Sequence, residues 1–148
     1  MFISLSLYMI GLVIVLCESK ARHWAINWMT NGHVYAARKS PTGAIWSVVD
    51  PTTAMVEVSA IPAAIMPNAQ DYSEHATKVI RCVIEPNAKQ GFRVRFGLLT
   101  CVTIMKALLS VSGWRIISPD QLGDYLIRSG IGHVVGSKYD GSTVKQGD

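Results

Sequence analysis

Short apolar blocks separated by turn residues fill the chain between residues 22 and 61, and this pattern predicts an antiparallel meander. Asn31-Gly32 is a favoured dipeptide of the two-residue hairpin turn. Ser40-Pro41-Thr42-Gly43 carries proline at the second position of a four-residue turn. The strands predicted on either side of these turns are Trp24–Met29, Val34–Lys39, Ile45–Asp50 and Met55–Ile61.

The amino-terminal residues 2–17 form an uncharged, mostly apolar run. We expect Gly11–Leu16 to be a strand buried on both faces, because a continuous apolar run is typical of such strands. The run is shorter than the roughly 20 apolar residues of a membrane-spanning helix. It also lacks the basic start and the small-residue cleavage site of a secretory signal. A membrane anchor or uncleaved signal, with membrane contact through residues 2–17, is the alternative interpretation.

The second half of the chain carries the signals of one strand and two helices. Residues 78–84 predict a strand, with Cys82 inside it. Apolar residues recur at three- and four-residue spacing from Cys101 onward, which predicts a helix capped by Thr100. Ser118-Pro119-Asp120-Gln121 has the residues of a capping box and predicts a second helix, ending near Gly130. Residues 132–148 are glycine-rich and polar, so we expect a flexible tail.

These elements predict an α+β fold for a single domain over residues 1–131: an antiparallel sheet of four to six strands packed against a helix that carries Cys101 and a second, C-terminal helix. The length of 148 residues, 49% of them hydrophobic, suits one domain with an apolar core. Three cysteines at wide, irregular spacing form neither a disulfide framework nor a paired zinc pattern, so we expect reduced thiols, no cofactor and no metal. The net charge is +4, but the basic residues are scattered, so nucleic acid is not an expected partner.

Three residues supply the parts of a thiol nucleophile with its base and its orienting acid: Cys101, His33 and Asp50. If the second turn spans residues 40–43, residues whose numbers sum to 83 face one another, so His33 lies opposite Asp50 on one face. The carboxylate would then fix the imidazole tautomer and leave the other ring nitrogen as the base. In the first turn of its helix, Cys101 would be favoured as a thiolate.

Each of these residues also has a purely structural interpretation. Cys101 lies on an apolar helix face, where cysteine is usually a small core residue. His33 flanks a turn, and Asp50 precedes proline in an ordinary turn sequence. His23 is the second choice as base, because no carboxylate faces it across the first predicted hairpin. His75 and His133 rank below it.

Part of this pattern resembles a known family. Gly32-His33-Val34-Tyr35, followed by Trp46 and then Asp50-Pro51-Thr52, resembles the His-aromatic, Trp and Asp-Pro-Thr core of transglutaminase-like and broader papain-like cysteine hydrolases. The resemblance implies that the histidine is the base and the aspartate its orienter. Because Cys101 follows these residues instead of preceding them, the chain resembles a circularly permuted member of the family.

The segment from Thr100 to Lys106, followed by Ile117–Leu122, is similar to small papain-like proteins encoded by tailed bacteriophages. The resemblance implies a cysteine-dependent hydrolase, amidase or acyltransferase acting on amide or ester bonds, with peptide or peptidoglycan as substrate. It also implies a location in the phage virion or in the reducing cytoplasm of the bacterial host. The alternative function is a non-enzymatic structural or accessory protein of the head or tail, which keeps the papain-like fold and contacts other virion proteins.

Overall fold

The computed structural model describes residues 10–18, 32–52, 55–84 and 100–137, which build one antiparallel sheet with helices on one face. The strands are β1 (Ile10–Cys17), β2 (His33–Lys39), β3 (Ile45–Pro51), β4 (Val56–Pro62), β5 (Ala76–Ile84) and β6 (Gly132–Ser137). The helices are α1 (Cys101–Leu108) and α2 (Pro119–Arg128), and a short 3₁₀ helix spans Ala69–Tyr72. The predicted α+β class, with four to six antiparallel strands and two helices, is confirmed.

Strand order in the sheet is β4-β3-β2-β1-β5-β6, so β1 lies between β2 and β5. Its residues Ile14 and Val15 point to opposite faces and are both fully buried. The strand predicted from the continuous apolar run therefore forms over Ile10–Cys17, and residues 14–17 are its buried part. Within the described parts of the chain, no helix has the length and apolar character needed to cross a membrane.

The sheet buries both of its faces. On one face, α1 and α2 cover a helix-side core, and on the other the segment between β4 and β5 covers a loop-side core. Gly123 of α2 lies so close to the sheet that an added Cβ would be 2.7 Å from Leu16 Cδ1. The strand residues of the helix-side core are Ile14, Leu16, Val34, Ala36, Ile80 and Cys82. The fully or nearly buried residues of the loop-side core are Val15, Cys17, Tyr35, Ala37, Trp46, Val48, Met66, Ala69 and Val79.

Both helices begin where their capping residues predict. The Thr100 hydroxyl accepts a hydrogen bond from Thr103 N at 3.2 Å and caps α1. Ser118 Oγ accepts from Gln121 N at 3.3 Å, while the Gln121 side chain accepts from Ser118 N at 3.2 Å. These reciprocal bonds form the predicted capping box, and Pro119 follows at the first helical position, where its missing N–H costs nothing.

The register between β2 and β3 differs from the prediction by two residues. Gly43 N donates to Ser40 O, so the predicted turn forms, but Ser40 N also donates to Ile45 O at 2.8 Å. The hairpin therefore closes around four residues, and facing residues have numbers that sum to 85, as in Ala37 opposite Val48. A shift of two residues leaves every side chain on its predicted face, because side chains alternate with a period of two.

Two further expectations change. The flexible tail predicted from Gly132 is wrong for residues 132–137, which form β6 and pair with β5. The β2 strand has β1 and β3 as its neighbours, whereas the meander gave it Trp24–Met29 as a partner. Residues 19–31, which include Trp24–Met29 and His23, lie outside the described residues, as do residues 138–148 of the predicted tail.

Candidate active site

The imidazole of His33 and the carboxylate of Asp50 meet where β2 begins and β3 ends. His33 Nε2 lies 2.5 Å from Asp50 Oδ1. With the observed register the two residues are diagonal neighbours across the strands instead of directly opposite, and diagonal pairs lie within reach of long side chains. The structure thus joins the two residues that the sequence linked, by a different register from the one predicted.

The same imidazole contacts Cys101. The hydrogen bond with Asp50 is the largest influence on the pKa of His33, which is raised to about 9, and a side-chain hydrogen bond with Cys101 raises it further against the opposing effect of burial. The hydrogen bond with His33 lowers the pKa of Asp50. At neutral pH the pair is therefore a carboxylate and an imidazolium.

Cys101 occupies the first position of α1, directly after its cap Thr100. Its side chain is partly buried and packs against the edge of the helix-side core. The first-turn N–H groups of an α-helix have no intrahelical acceptor and carry partial positive charge, which favours negative charge at this place. Thr103 N donates to the Thr100 hydroxyl, and Ile104 N donates to the Thr100 carbonyl oxygen. Neither of these two bonds uses the N–H of Cys101.

Cys17 is a second thiol at this site, and sequence analysis missed it. Its Cα pairs with that of His33 in the β1–β2 ladder, and only 6% of its surface is exposed. Burial raises the pKa of the Cys17 thiol, partly offset by a hydrogen bond with Ser73. The turn signal at Asn31-Gly32 predicted Trp24–Met29 as the partner of β2, so the pairing of β1 with β2, which places Cys17 beside His33, was not foreseen.

Two tyrosines support Asp50 from the loop-side core. The side chain of Tyr72 hydrogen-bonds Asp50, which helps to lower the pKa of that carboxyl. Burial raises the pKa of Tyr72 to about 12, so its hydroxyl stays protonated and donates. Tyr35 packs against Tyr72 with ring centroids 5.0 Å apart, and its hydroxyl donates to Ala69 O at 2.8 Å. Tyr72 follows a loop, and nothing in its local sequence pointed to Asp50.

The remaining described histidines lie elsewhere. His75 Nε2 is 3.3 Å from Glu74 Oε1, and His133 is an exposed residue of β6 paired with Arg81. No group of three histidine, cysteine or acidic residues in the described ranges is arranged to hold a metal ion. Comparisons of the chain with protein-family models, curated proteins and solved structures found no match.

Proposed function

We propose that this protein is a cysteine-dependent hydrolase or acyltransferase in which Cys101 is the nucleophile, His33 the proton carrier and Asp50 its orienter. One observation carries the proposal: a single imidazole is bonded through Nε2 to the carboxylate of Asp50, and the thiol of Cys101 lies close enough to this imidazole to raise its pKa. A nucleophile, a base and an orienting acid in this sequence of contacts are the general signature of nucleophilic catalysis by a side chain.

Of the two thiols near His33, Cys101 suits the nucleophile better. Cys17 is buried at 6% exposure, and its pKa is raised by that burial, so both access and the thiolate are disfavoured. Cys101 is more open and begins a helix, where the backbone favours negative charge. An imidazolium beside it favours a thiolate in the same way.

The proposed reaction begins with Cys101 as a thiolate and His33 as an imidazolium held by Asp50. The sulfur attacks the carbonyl carbon of an amide or ester, a C–S bond forms, and the carbonyl oxygen becomes an oxyanion that accepts from the Cys101 N–H. His33 then gives its proton to the leaving nitrogen or oxygen as that bond breaks, leaving a thioester. The neutral imidazole next accepts a proton from water, or from an acyl acceptor, and the attack of that group releases the acyl product.

The finer parts of this proposal rest on the resemblance to papain-like cysteine hydrolases. They are the circularly permuted papain-like arrangement, a peptide or peptidoglycan substrate, and an origin in a tailed bacteriophage with action in the virion or the host cytoplasm. The described fold is compatible with that arrangement, since a cysteine-bearing helix packs on an antiparallel sheet that carries the histidine and the aspartate.

Alkylation by iodoacetamide as a function of pH tests the proposal, with the modified cysteine identified by peptide mass. Cys101 of the wild-type protein should be alkylated readily at neutral pH, because the thiolate is the reacting form and a neighbouring imidazolium favours it. His33→Ala should slow the reaction at neutral pH by about tenfold, because it removes the cation beside the thiol. His75→Ala is the matched control, because it removes another histidine with a carboxylate partner and leaves the thiol untouched.

Identical rate profiles for the wild-type protein and His33→Ala would overturn the catalytic proposal. So would a wild-type Cys101 that reacts like an unperturbed cysteine. Modification of Cys17 in preference to Cys101 would show that the reactive thiol is Cys17 of β1 and not Cys101 of α1.

An accessory role in a phage head or tail is the second candidate, favoured by the surface of β4. This strand forms an edge of the sheet and exposes 40% of Val56 and 70% of Val58, and Met55 beside it is 66% exposed. An edge strand with exposed apolar side chains is suited to pairing with another chain. An accessory protein needs no activated thiol, so ordinary alkylation of Cys101 would favour this candidate.

A further inference from the structure

A cavity of about 420 Å³ lies at the end of the sheet opposite His33 and Asp50. Its basic wall consists of Arg38, Lys39 and Arg81, and the rest of its lining is Gly11, Val13, Pro41 and Trp46. Trp46 is 6% exposed, and Lys39 Nζ lies 5.6 Å from the centre of its ring. Three cations from two different parts of the sheet thus surround one recess.

These cations form no salt bridge with another described residue. The salt bridges between described residues join His33 to Asp50 and His75 to Glu74, and neither involves Arg38, Lys39 or Arg81. No carboxylate lines the cavity. The buried Nε1–H of Trp46, in the same wall, also has no hydrogen-bond partner among the described residues. Uncompensated positive charge around a concave site favours the binding of an anion.

Gly11 lines the cavity and leaves open space beside the strand. A Cβ at Gly11 would have no heavy atom within 4 Å, so the strand passes the cavity with nothing filling it. Val13, two residues along β1, pairs with Arg81, and alternation places residue 11 on the same face. A larger side chain at this position would occupy the recess without disturbing the strand.

From this arrangement we propose that the cavity binds a small molecule carrying a phosphate or pyrophosphate group. Three positive charges call for an anion with more than the single charge of a carboxylate, and phosphate groups carry close to two. The planar guanidinium groups of Arg38 and Arg81 match phosphate oxygens with paired hydrogen bonds. The cavity has a volume within the range of small-molecule sites, which favours a small ligand over a polymer.

This site is separate from the candidate active site. Lys39 and His33 are the two ends of β2, and six residues of extended strand span about 20 Å. Phosphate binding can therefore be tested independently of the thiol chemistry.

Isothermal titration calorimetry with inorganic pyrophosphate tests the proposal at low and at physiological salt. The wild-type protein should bind, and Arg81→Gln should weaken the binding by about tenfold or more, as expected for loss of a charge-assisted contact. Gly11→Val should weaken it comparably without changing any charge. Arg115→Gln is the matched control, because it removes the charge of another exposed arginine that does not line the cavity. Its affinity should stay within about twofold of the wild-type value.

Three outcomes would overturn the proposal. The first is no binding of pyrophosphate by the wild-type protein. The second is an equal loss of pyrophosphate affinity in Arg115→Gln and Arg81→Gln, which would show that binding depends only on the net charge of the protein. The third is tighter binding of a short single-stranded oligonucleotide, undiminished in Gly11→Val, which would assign the basic residues to a nucleic-acid surface. Circular dichroism of each variant verifies that the fold is retained.

Discussion

The two ends of the sheet are built from the same three strands but differ in the burial and hydrogen bonding of their ionisable groups. At one end, β1, β2 and β3 bring Cys17, His33 and Asp50 together. At the other end, the same strands carry Gly11, Lys39 and Trp46 around an open cavity. The first set is partly buried and hydrogen-bonded, and the pKa values of its members are displaced. The cations of the second end are exposed side chains.

This difference separates two kinds of chemistry. Groups whose pKa values are displaced by burial and by each other can exchange protons with a substrate near neutral pH. Exposed guanidinium and ammonium groups keep their charge over that range, so they attract anions and transfer no protons. One sheet therefore offers a site suited to bond-making at one end and a site suited to binding at the other.

The largest expected effect comes from Asp50→Asn. It replaces the carboxylate that holds the imidazolium, so the pKa of His33 should fall from about 9 toward its ordinary value of 6.5. Two-dimensional NMR of the imidazole resonances as a function of pH measures this directly. Glu57→Gln is the matched control, since Glu57 pairs with Asp50 across β3 and β4 without bonding the imidazole. A wild-type His33 that titrates near 6.5 would break the contrast between the two ends.

A smaller effect is expected in the pH dependence of stability. The pKa of His33 is raised on folding, so its contribution is complete below pH 6.5 and is lost as the pH rises through about 9. The pKa of Asp50 is lowered, so its contribution is present above pH 3.8 and is lost as the pH falls through the folded value. The pair should therefore stabilise the fold most between pH 3.8 and pH 6.5. We expect about 1–2 kcal/mol after allowing for solvent screening of a side chain that is 37% exposed.

Urea unfolding of His33→Gln and of the wild-type protein, measured from pH 6.5 to about pH 9, gives the contribution of His33. The difference in unfolding free energy should shrink toward pH 9. For Arg81→Gln the corresponding difference should stay level, because Arg81 contacts neither His33 nor Asp50 in the pair's hydrogen bonding. A level difference for His33→Gln as well would mean that folding leaves the pKa of His33 unchanged.

The smallest effect is expected from Tyr72→Phe. The ring contact with Tyr35 is kept, and only the hydroxyl that bonds Asp50 is removed. Loss of this bond should cost about 1 kcal/mol in unfolding free energy and shift the pKa of Asp50 upward. Urea unfolding and carboxyl NMR titration measure the two changes. Tyr125→Phe is the control, because Tyr125 is an exposed residue of α2. Equal changes in both variants would show that the Tyr72 hydroxyl does not support Asp50.

Local patterns in the sequence predicted those parts of the molecule that local interactions determine. The two helix starts follow from side chains that bond a backbone N–H three residues away, and both are present as predicted. The linkage of His33 and Asp50 survived a register error, because a shift of two residues conserves the face of each side chain. By contrast, β6 has the sequence Gly-His-Val-Val-Gly-Ser, whose short apolar content gives no strand signal, and it is held by its pairing with β5.

Long-range pairing decided what the sequence could not reveal. Cys17 reaches His33 only because β1 inserts between β2 and β5, and Tyr72 reaches Asp50 only because its loop folds over the loop-side core. The basic cavity also combines residues from four strands, and along the sequence its cations are only scattered basic residues. Such sites depend on the order of strands in a sheet, which local periodicity does not encode.

The four-residue connection between Ser40 and Ile45 limits how this hairpin can change in length. If one residue were removed and the hairpin kept a four-residue connection, the register would slip by one residue, which would turn every side chain of β3 to the opposite face and carry Asp50 away from His33. Under the same condition, an insertion or deletion of two residues would shift the register by two residues and preserve the faces. Homologues and engineered variants that retain the pair should therefore differ in this loop by even numbers of residues.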